Sequence, residues 1–318
     1  MPLEKVRGRF SGYSLIEILF VITLFSIVVY LIASAYLKLG KEAKVQRITI
    51  QQEREIGNLQ VYLRKLLGSI GFGIEKDKLN VGNVGCTDNN LDNFRGQSAV
   101  IGIAKDCNVA GTPPHDRLYF RTLYGSGEEK AGCWWVVDKN RNFISKAVDK
   151  FGRACEVESN DQCIFFDYEK NNMGVGSCND PSLCNQPPCF AYYLRDQNSP
   201  TNPPEVFRIH LAKFEADDLS QWQRCANGSA KLMLQRQWNI DSNPLFDCVG
   251  GLRFKLEPDE TNPRFLRVCL LLQVSGRFDA PVDVQNNSSC GSFSIRDDWK
   301  YYRWRVIEEV IPLRNLIE

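Results

Sequence analysis

The pattern of apolar and polar positions divides the chain into three stretches. From Tyr13 to Leu37 there are 25 consecutive residues with a single charge, Glu17. As a helix rising ~1.5 Å per residue, this run reaches about 37 Å, enough to cross a hydrocarbon layer of about 30 Å with some tilt. Farther on, Val45, Ile48, Ile56, Leu59, Leu63, Leu66 and Ile70 recur at helical spacing, with Gln52 as the one polar interruption. Lys44, Arg47, Glu53, Arg54 and Lys65 fall mainly on other faces, so the spacing predicts that the helix continues as an amphipathic half packed on a globular head. Gly71-Phe72-Gly73 supplies the stop.

Past residue 72 the apolar runs shorten and glycine, asparagine, aspartate and proline punctuate them. Ser98–Ala104, Arg117–Leu123, Trp134–Val137, Cys163–Tyr168, Phe190–Leu194, Val206–Leu211 and Lys231–Gln237 each read as a strand bounded by turns. Gly251–Leu256 and Arg264–Val274 flank the polar turn Glu257–Pro263 as an antiparallel hairpin, and Tyr301–Ile311 adds a last strand. The expected architecture is α+β: one long N-terminal helix laid across a largely antiparallel sheet. The head is read as one body with a large insertion, and Asn198–Pro204 has linker composition.

Charge then orients the apolar run. Lys5, Arg7 and Arg9 against Glu4 make the leader basic, which retains it in the cytoplasm and sends the bulk of the chain out. A cleaved secretory signal has a shorter apolar core and a small-residue cleavage site, and Ala33-Ser34-Ala35 is the single A-x-A-like site here. An uncleaved anchor fits the length. Neither accounts for Glu17, because a carboxylate at membrane depth is costly and marks a functional position.

Gly12 followed by Tyr13-Ser14-Leu15-Ile16-Glu17 and a long apolar helix resembles the class III signal of type IV prepilins. The resemblance implies cleavage by a prepilin peptidase between Gly12 and Tyr13, N-methylation of Tyr13, and pairing of Glu17 with the terminal amine of a neighbouring subunit in a fibre core. Tyr13 stands where that family usually has Phe, and no proline lies between Pro2 and Pro113, so the helix kink of major pilins is not expected. Leu63-Arg64-Lys65-Leu66-Leu67 ahead of Gly71-Phe72-Gly73, Leu313-Arg314-Asn315 near the end, and the length of 318 residues resemble the PilW-like minor pilins.

That resemblance implies a type IV pilin-like fold with a leader over 1–12, a transmembrane and assembly helix over 13–39, an amphipathic half over 40–71 and an extracytoplasmic head over 72–318. It also implies a non-enzymatic subunit that spans the inner membrane once, primes pilus assembly with other minor pilins and the major pilin, and sits at the tip. The alternatives are a minor pseudopilin of a type II secretion system and a membrane-anchored extracellular adhesin.

All 12 cysteines lie in the head, an even number that points to disulfides made in an oxidising compartment. Cys86, Cys107, Cys133, Cys155, Cys163, Cys178, Cys184, Cys189, Cys225, Cys248 and Cys290 are the candidates, with the pairing open. Cys269, inside the apolar strand RVCLLLQV, reads as a buried thiol. No metal or cofactor is expected. The Cys184/Cys189 spacing is too long for a zinc pair, and a calcium loop beginning at Asp88 has Asn93 where glycine is needed and Ala99 where a chelating Glu belongs. His115 and His210 read as surface or core histidines, and no nucleophile elbow, phosphate loop or dinucleotide fingerprint occurs. With a net charge of +1 and no basic stripe, nucleic acid is not indicated.

Overall fold

A computed structural model describes residues 14–74, 79–87, 93–94, 97, 99–123, 133–144, 146–149, 152–158, 160–169, 172–194, 206–214, 225–236 and 242–317. The leader, Gly12, Tyr13, the Asn198–Pro204 stretch and Asp88 to Asp92 of the rejected calcium loop lie outside them. Two compact units are present, Met1–Ile50 and Gln51–Glu318. Helix α1 spans Leu15–Leu67.

In the first unit, Leu15–Gly40 is long and apolar enough to cross a membrane, and none of it is buried. Its serine and threonine hydroxyls are satisfied by their own helix: Thr23 donates to the Leu19 carbonyl, Ser26 to Ile22 and Ser34 to Leu31. Such back-bonding lets serine and threonine sit in an apolar medium without outside partners.

In the second unit, strands β1 (Val81–Gly82), β2 (Ile101–Cys107), β3 (His115–Arg121), β4 (Trp134–Val137), β5 (Gln162–Asp167), β6 (Asn172–Ser177), β7 (Cys189–Leu194), β8 (Val206–Ala212), β9 (Ala230–Arg236), β10 (Ser242–Glu257), β11 (Phe265–Arg277), β12 (Asn287–Ser288), β13 (Gly291–Ser292) and β14 (Tyr302–Pro312) precede a short helix α2 (Arg314–Ile317). Eight form one sheet in the order β1-β2-β3-β8-β9-β10-β11-β14, antiparallel except for β1 and β2. A four-stranded sheet, β4-β7-β5-β6, is built from chain between β3 and β8, and β12 pairs with β13. The glycine-rich β6 has no apolar run to announce it.

The expected helical stripe packs from Ile56 onward. Ile56, Leu59, Leu63, Leu66 and Ile70 are buried, together with Leu67, against Leu118 and Phe120 of β3, Ile209 and Leu211 of β8, and Leu266, Val268, Leu270 and Leu272 of β11. On each strand these are alternate residues, because successive side chains point to opposite faces. Polar bonds hold the helix in place on β14. Arg64 Nε and Nη2 donate to Glu309 at 2.6 and 3.0 Å, Gln60 donates to the same carboxylate at 2.6 Å, and Arg305 meets Glu53 at 2.8 Å.

The helix stops at Leu67, four residues before the glycine signal. Ser69 N–H and Ile70 N–H tighten onto the Leu66 and Leu67 carbonyls, and Gly71 N–H bonds the Arg121 carbonyl of β3 instead of its own helix. A tertiary partner therefore captures the chain first. Gly71 and Gly73 then take positive φ, +80° and +68°, where a side chain is strained.

Three disulfides hold loops or strand ends against the eight-stranded sheet: Cys86–Cys107, Cys225–Cys248 and Cys269–Cys290. Three more belong to the four-stranded sheet and its loops: Cys133–Cys155, Cys163–Cys178 and Cys184–Cys189. Cys269 is thus corrected from a buried thiol to a half-cystine, buried yet bonded to Cys290. It shares the face of β11 turned away from α1 with Leu271, and the loop carrying Cys290 and Phe293 packs on that face. Burial on both faces made the strand read as uniformly apolar and hid the difference.

Candidate functional site

The carboxylate singled out in the apolar run lies in the first turn of α1. Ser14 caps the helix: its carbonyl accepts from Glu17 N–H at 3.0 Å and from Ile18 N–H at 3.2 Å, and its Oγ faces Ile16 N–H at 3.4 Å. Glu17 Oε2 in turn accepts from Ser14 N–H at 2.9 Å. The glutamate thus makes its half of a capping box, reaching back to the Ser14 N–H, while the serine hydroxyl meets Ile16 N–H and not Glu17 N–H; together they satisfy backbone donors that a helix start leaves open. The Ser14-x-x-Glu17 spacing is the sequence signal for this cap. The carboxylate's negative charge also sits at the positive end of the helix dipole. Gly12 and Tyr13, the residues of the expected cleavage site, lie outside the described residues.

A second polar cluster lies in the head, on the face of the eight-stranded sheet turned away from α1. His115, Arg117 and Tyr119 alternate along β3, and Arg208 and His210 alternate along β8. Pairing of Leu118 with Ile209 and of Tyr119 with Arg208 sets the two strands side by side. His115 Nδ1 donates to the Pro113 carbonyl at 2.9 Å, and Arg208 donates to Gln235 Oε1 on the adjacent β9. Burial, and after it the nearby Arg117, Arg208 and Arg253, pushes His115 down to about 4, the bond to Pro113 opposing. Burial beside Arg208, Arg117 and His115 drives His210 well below its ordinary value. Burial thus favours the neutral form of both rings.

Asp116, on the same strand, is buried and works as a clamp. One carboxylate oxygen accepts from Asp106 N–H at 3.0 Å and the other from Phe254 N–H at 2.9 Å, while Lys105 and Arg253 approach at 3.8 and 3.5 Å. The β10 residue Phe254 is thereby tied to β3 although β8 and β9 lie between them in the sheet, so this carboxylate fastens the curl. Asp106, at φ +50°, sits in the bulge between β2 and β3. Sequence reasoning missed this clamp, since Asp116 and Phe254 are 138 residues apart.

The expected site residues are therefore not assembled into one centre. Glu17 belongs to the helix start, the two histidines belong to the sheet, and the cysteines are all paired. Among the described residues no group of three or more His, Cys, Asp or Glu side chains is placed to hold a metal ion. Comparisons with protein-family models, with curated proteins and with solved structures find no match to this chain.

Proposed function

We propose that this chain is a structural subunit of a type IV pilus-like fibre, made as a membrane-anchored precursor and placed at or near the fibre tip. The observation that carries the reading is α1: Leu15–Gly40 is apolar and unburied, holds the lone carboxylate Glu17, and continues into a stripe that packs on a disulfide-rich head. A helix of this kind serves first as an anchor in the inner membrane and then, after a peptidase removes the leader at Gly12, as the element that packs among its neighbours. In the fibre Glu17 meets the terminal amine of an adjacent subunit, so two charges that are costly to bury alone neutralise each other. Other minor pilins and the major pilin are the partners this reading requires. The size of the head favours the tip, because a head of this bulk crowds every layer of a thin shaft.

Mass spectrometry of the mature amino terminus tests the reading. A chain that begins at N-methylated Tyr13 is expected, and an intact leader would overturn it. Immunogold labelling is expected at fibre ends, and dense labelling along the shaft would defeat the tip placement. Glu17→Ala is expected to be cleaved normally yet fail to join fibres; normal assembly of that variant would remove the charge-pairing step. Deletion of the protein is expected to abolish surface fibres, whereas loss of exoprotein secretion alone would assign it to a secretion pseudopilus.

A further inference from the structure

The two sheets have four outer edges, and three of them are short or flanked. β1 is two residues long, β4 is bridged on its outer side at Phe143 and Val148, and β6 has Leu183 of the 3-10 turn Pro181–Leu183 against Gly176. The fourth, β14, is 11 residues long and ends the eight-stranded sheet; the turn between β12 and β13 meets it at Glu308, where Ser289 N–H donates to the side-chain carboxylate and not to the edge backbone.

Its phase is fixed by its bonds. Leu313 N–H donates to the Arg264 carbonyl, Arg303 N–H to Ser275 Oγ, and the Tyr301 carbonyl accepts from Phe278 N–H. Odd-numbered residues thus face β11, and Trp304, Val306, Glu308 and Val310 turn their N–H and C=O groups outward. Those groups have no hydrogen-bond partner among the described residues. Pro312, which has no N–H to offer, closes the row. An open row of backbone donors and acceptors is a template for one more strand.

We propose that β14 accepts an extended segment of another subunit, added edge to edge to the eight-stranded sheet. The side chains describe that segment. Exposed Arg303 on one face calls for a carboxylate opposite it, its neighbour Arg305 being already held by Glu53, and Val306 with the exposed Val310 on the other calls for apolar residues. A second copy of β14 does not suit. The carboxylate it would bring to the arginine face, Glu309, is buried and already held by Gln60 and Arg64 of its own α1.

The inference rests on the fibre-subunit reading, and its test separates the two. A photoreactive benzoylphenylalanine at position 310 of the full chain in intact cells is expected to give an adduct with another chain, lost when Val306→Pro removes an outward N–H. Val310→Pro breaks no bond to β11 and is expected to leave the melting temperature of the purified head-bearing chain unchanged while lowering its recovery in sheared fibres at least tenfold. Arg303→Glu, which reverses an exposed charge and leaves every backbone group in place, is expected to lower it at least threefold. Absence of an adduct at 310, or wild-type recovery of both folded variants, overturns the docking edge. An intact leader on the wild-type chain overturns the fibre reading, while the adduct arm still reports on β14.

Discussion

The two sheets of the head are built alike in hydrogen bonding and differ in what holds them. The eight-stranded sheet closes on a cluster of thirty buried apolar residues, seven of them supplied by α1 and the turn that follows it, and none of them a cysteine. The four-stranded sheet has eight buried residues in its cluster, and four of those are half-cystines. A small sheet without a helix of its own buries too little apolar area to offset the entropy of ordering its chain, and covalent staples make up the difference. A large sheet with a helix laid across it needs them only to pin its loops. Contact between the two runs through Phe72 and Leu123 against Ile164, Phe166 and Tyr192, with the Phe72 and Tyr192 rings edge to face at 5.3 Å.

The sharpest way to break this contrast is Leu63→Ala. The side chain is 1% exposed in the middle of the helical stripe, so its loss removes transfer energy and leaves a cavity, together about 3–4 kcal/mol. Denaturant unfolding followed by amide exchange is expected to show β8–β11 losing protection while β5 and β7 hold theirs. Equal loss in both sheets would mean that they share one cooperative core.

The converse variant, Cys163→Ser with Cys178→Ser, opens a loop of 15 residues and is expected to destabilise the four-stranded sheet by about 3 kcal/mol. Limited proteolysis is expected to cut within 160–190 first, leaving the eight-stranded sheet intact. Simultaneous degradation of both would contradict the separation.

Acid is expected to act on the opposite region from a reductant. His115 takes up a proton near pH 6.5 when unfolded but only near about 4 when folded, so between those values the unfolded chain binds more protons. Stability is full above pH 6.5 and falls as pH drops through this window, by about 3 kcal/mol from this group. His210 adds to the same trend. His115→Asn is expected to flatten the acid limb of a melting-temperature profile between pH 6.5 and 4, and an unchanged limb would clear the ring of this role.

Arg64→Ala makes the finest test. Arg64 is largely exposed, so losing its bonds to Glu309 is expected to lower the stability of the eight-stranded sheet by only about 1 kcal/mol, Gln60 remaining as a donor. A larger loss would show that the helix is held on β14 by this pair more than by its apolar stripe.

Much of the frame is legible in the sequence, for identifiable reasons. The stripe from Ile56 to Ile70 repeats at the helical period, and that period survives folding because only one face meets the sheet. Trp134–Val137 stands out because strongly β-forming residues lie between turn formers, and the β10–β11 hairpin because a polar turn divides two apolar runs. β10 starts earlier than its apolar run, at Ser242, since irregular pairing and Cys248 at φ +58° carry the strand through Asn243 and Asp247. At the helix start, the Ser14-x-x-Glu17 spacing signals the cap.

The sequence by itself determined the local order of this protein: an apolar helix with one carboxylate, an amphipathic continuation, then short strands and an even number of cysteines, because periodicity, turn chemistry and composition act over a few residues. Only the tertiary structure decided which Cys meets Cys269, that Asp116 fastens β10 to β3, that Glu309 receives Arg64 from 245 residues away, and that β14 is left at the edge. Those outcomes depend on which distant surfaces come together to exclude water, and no short stretch of chain carries that information.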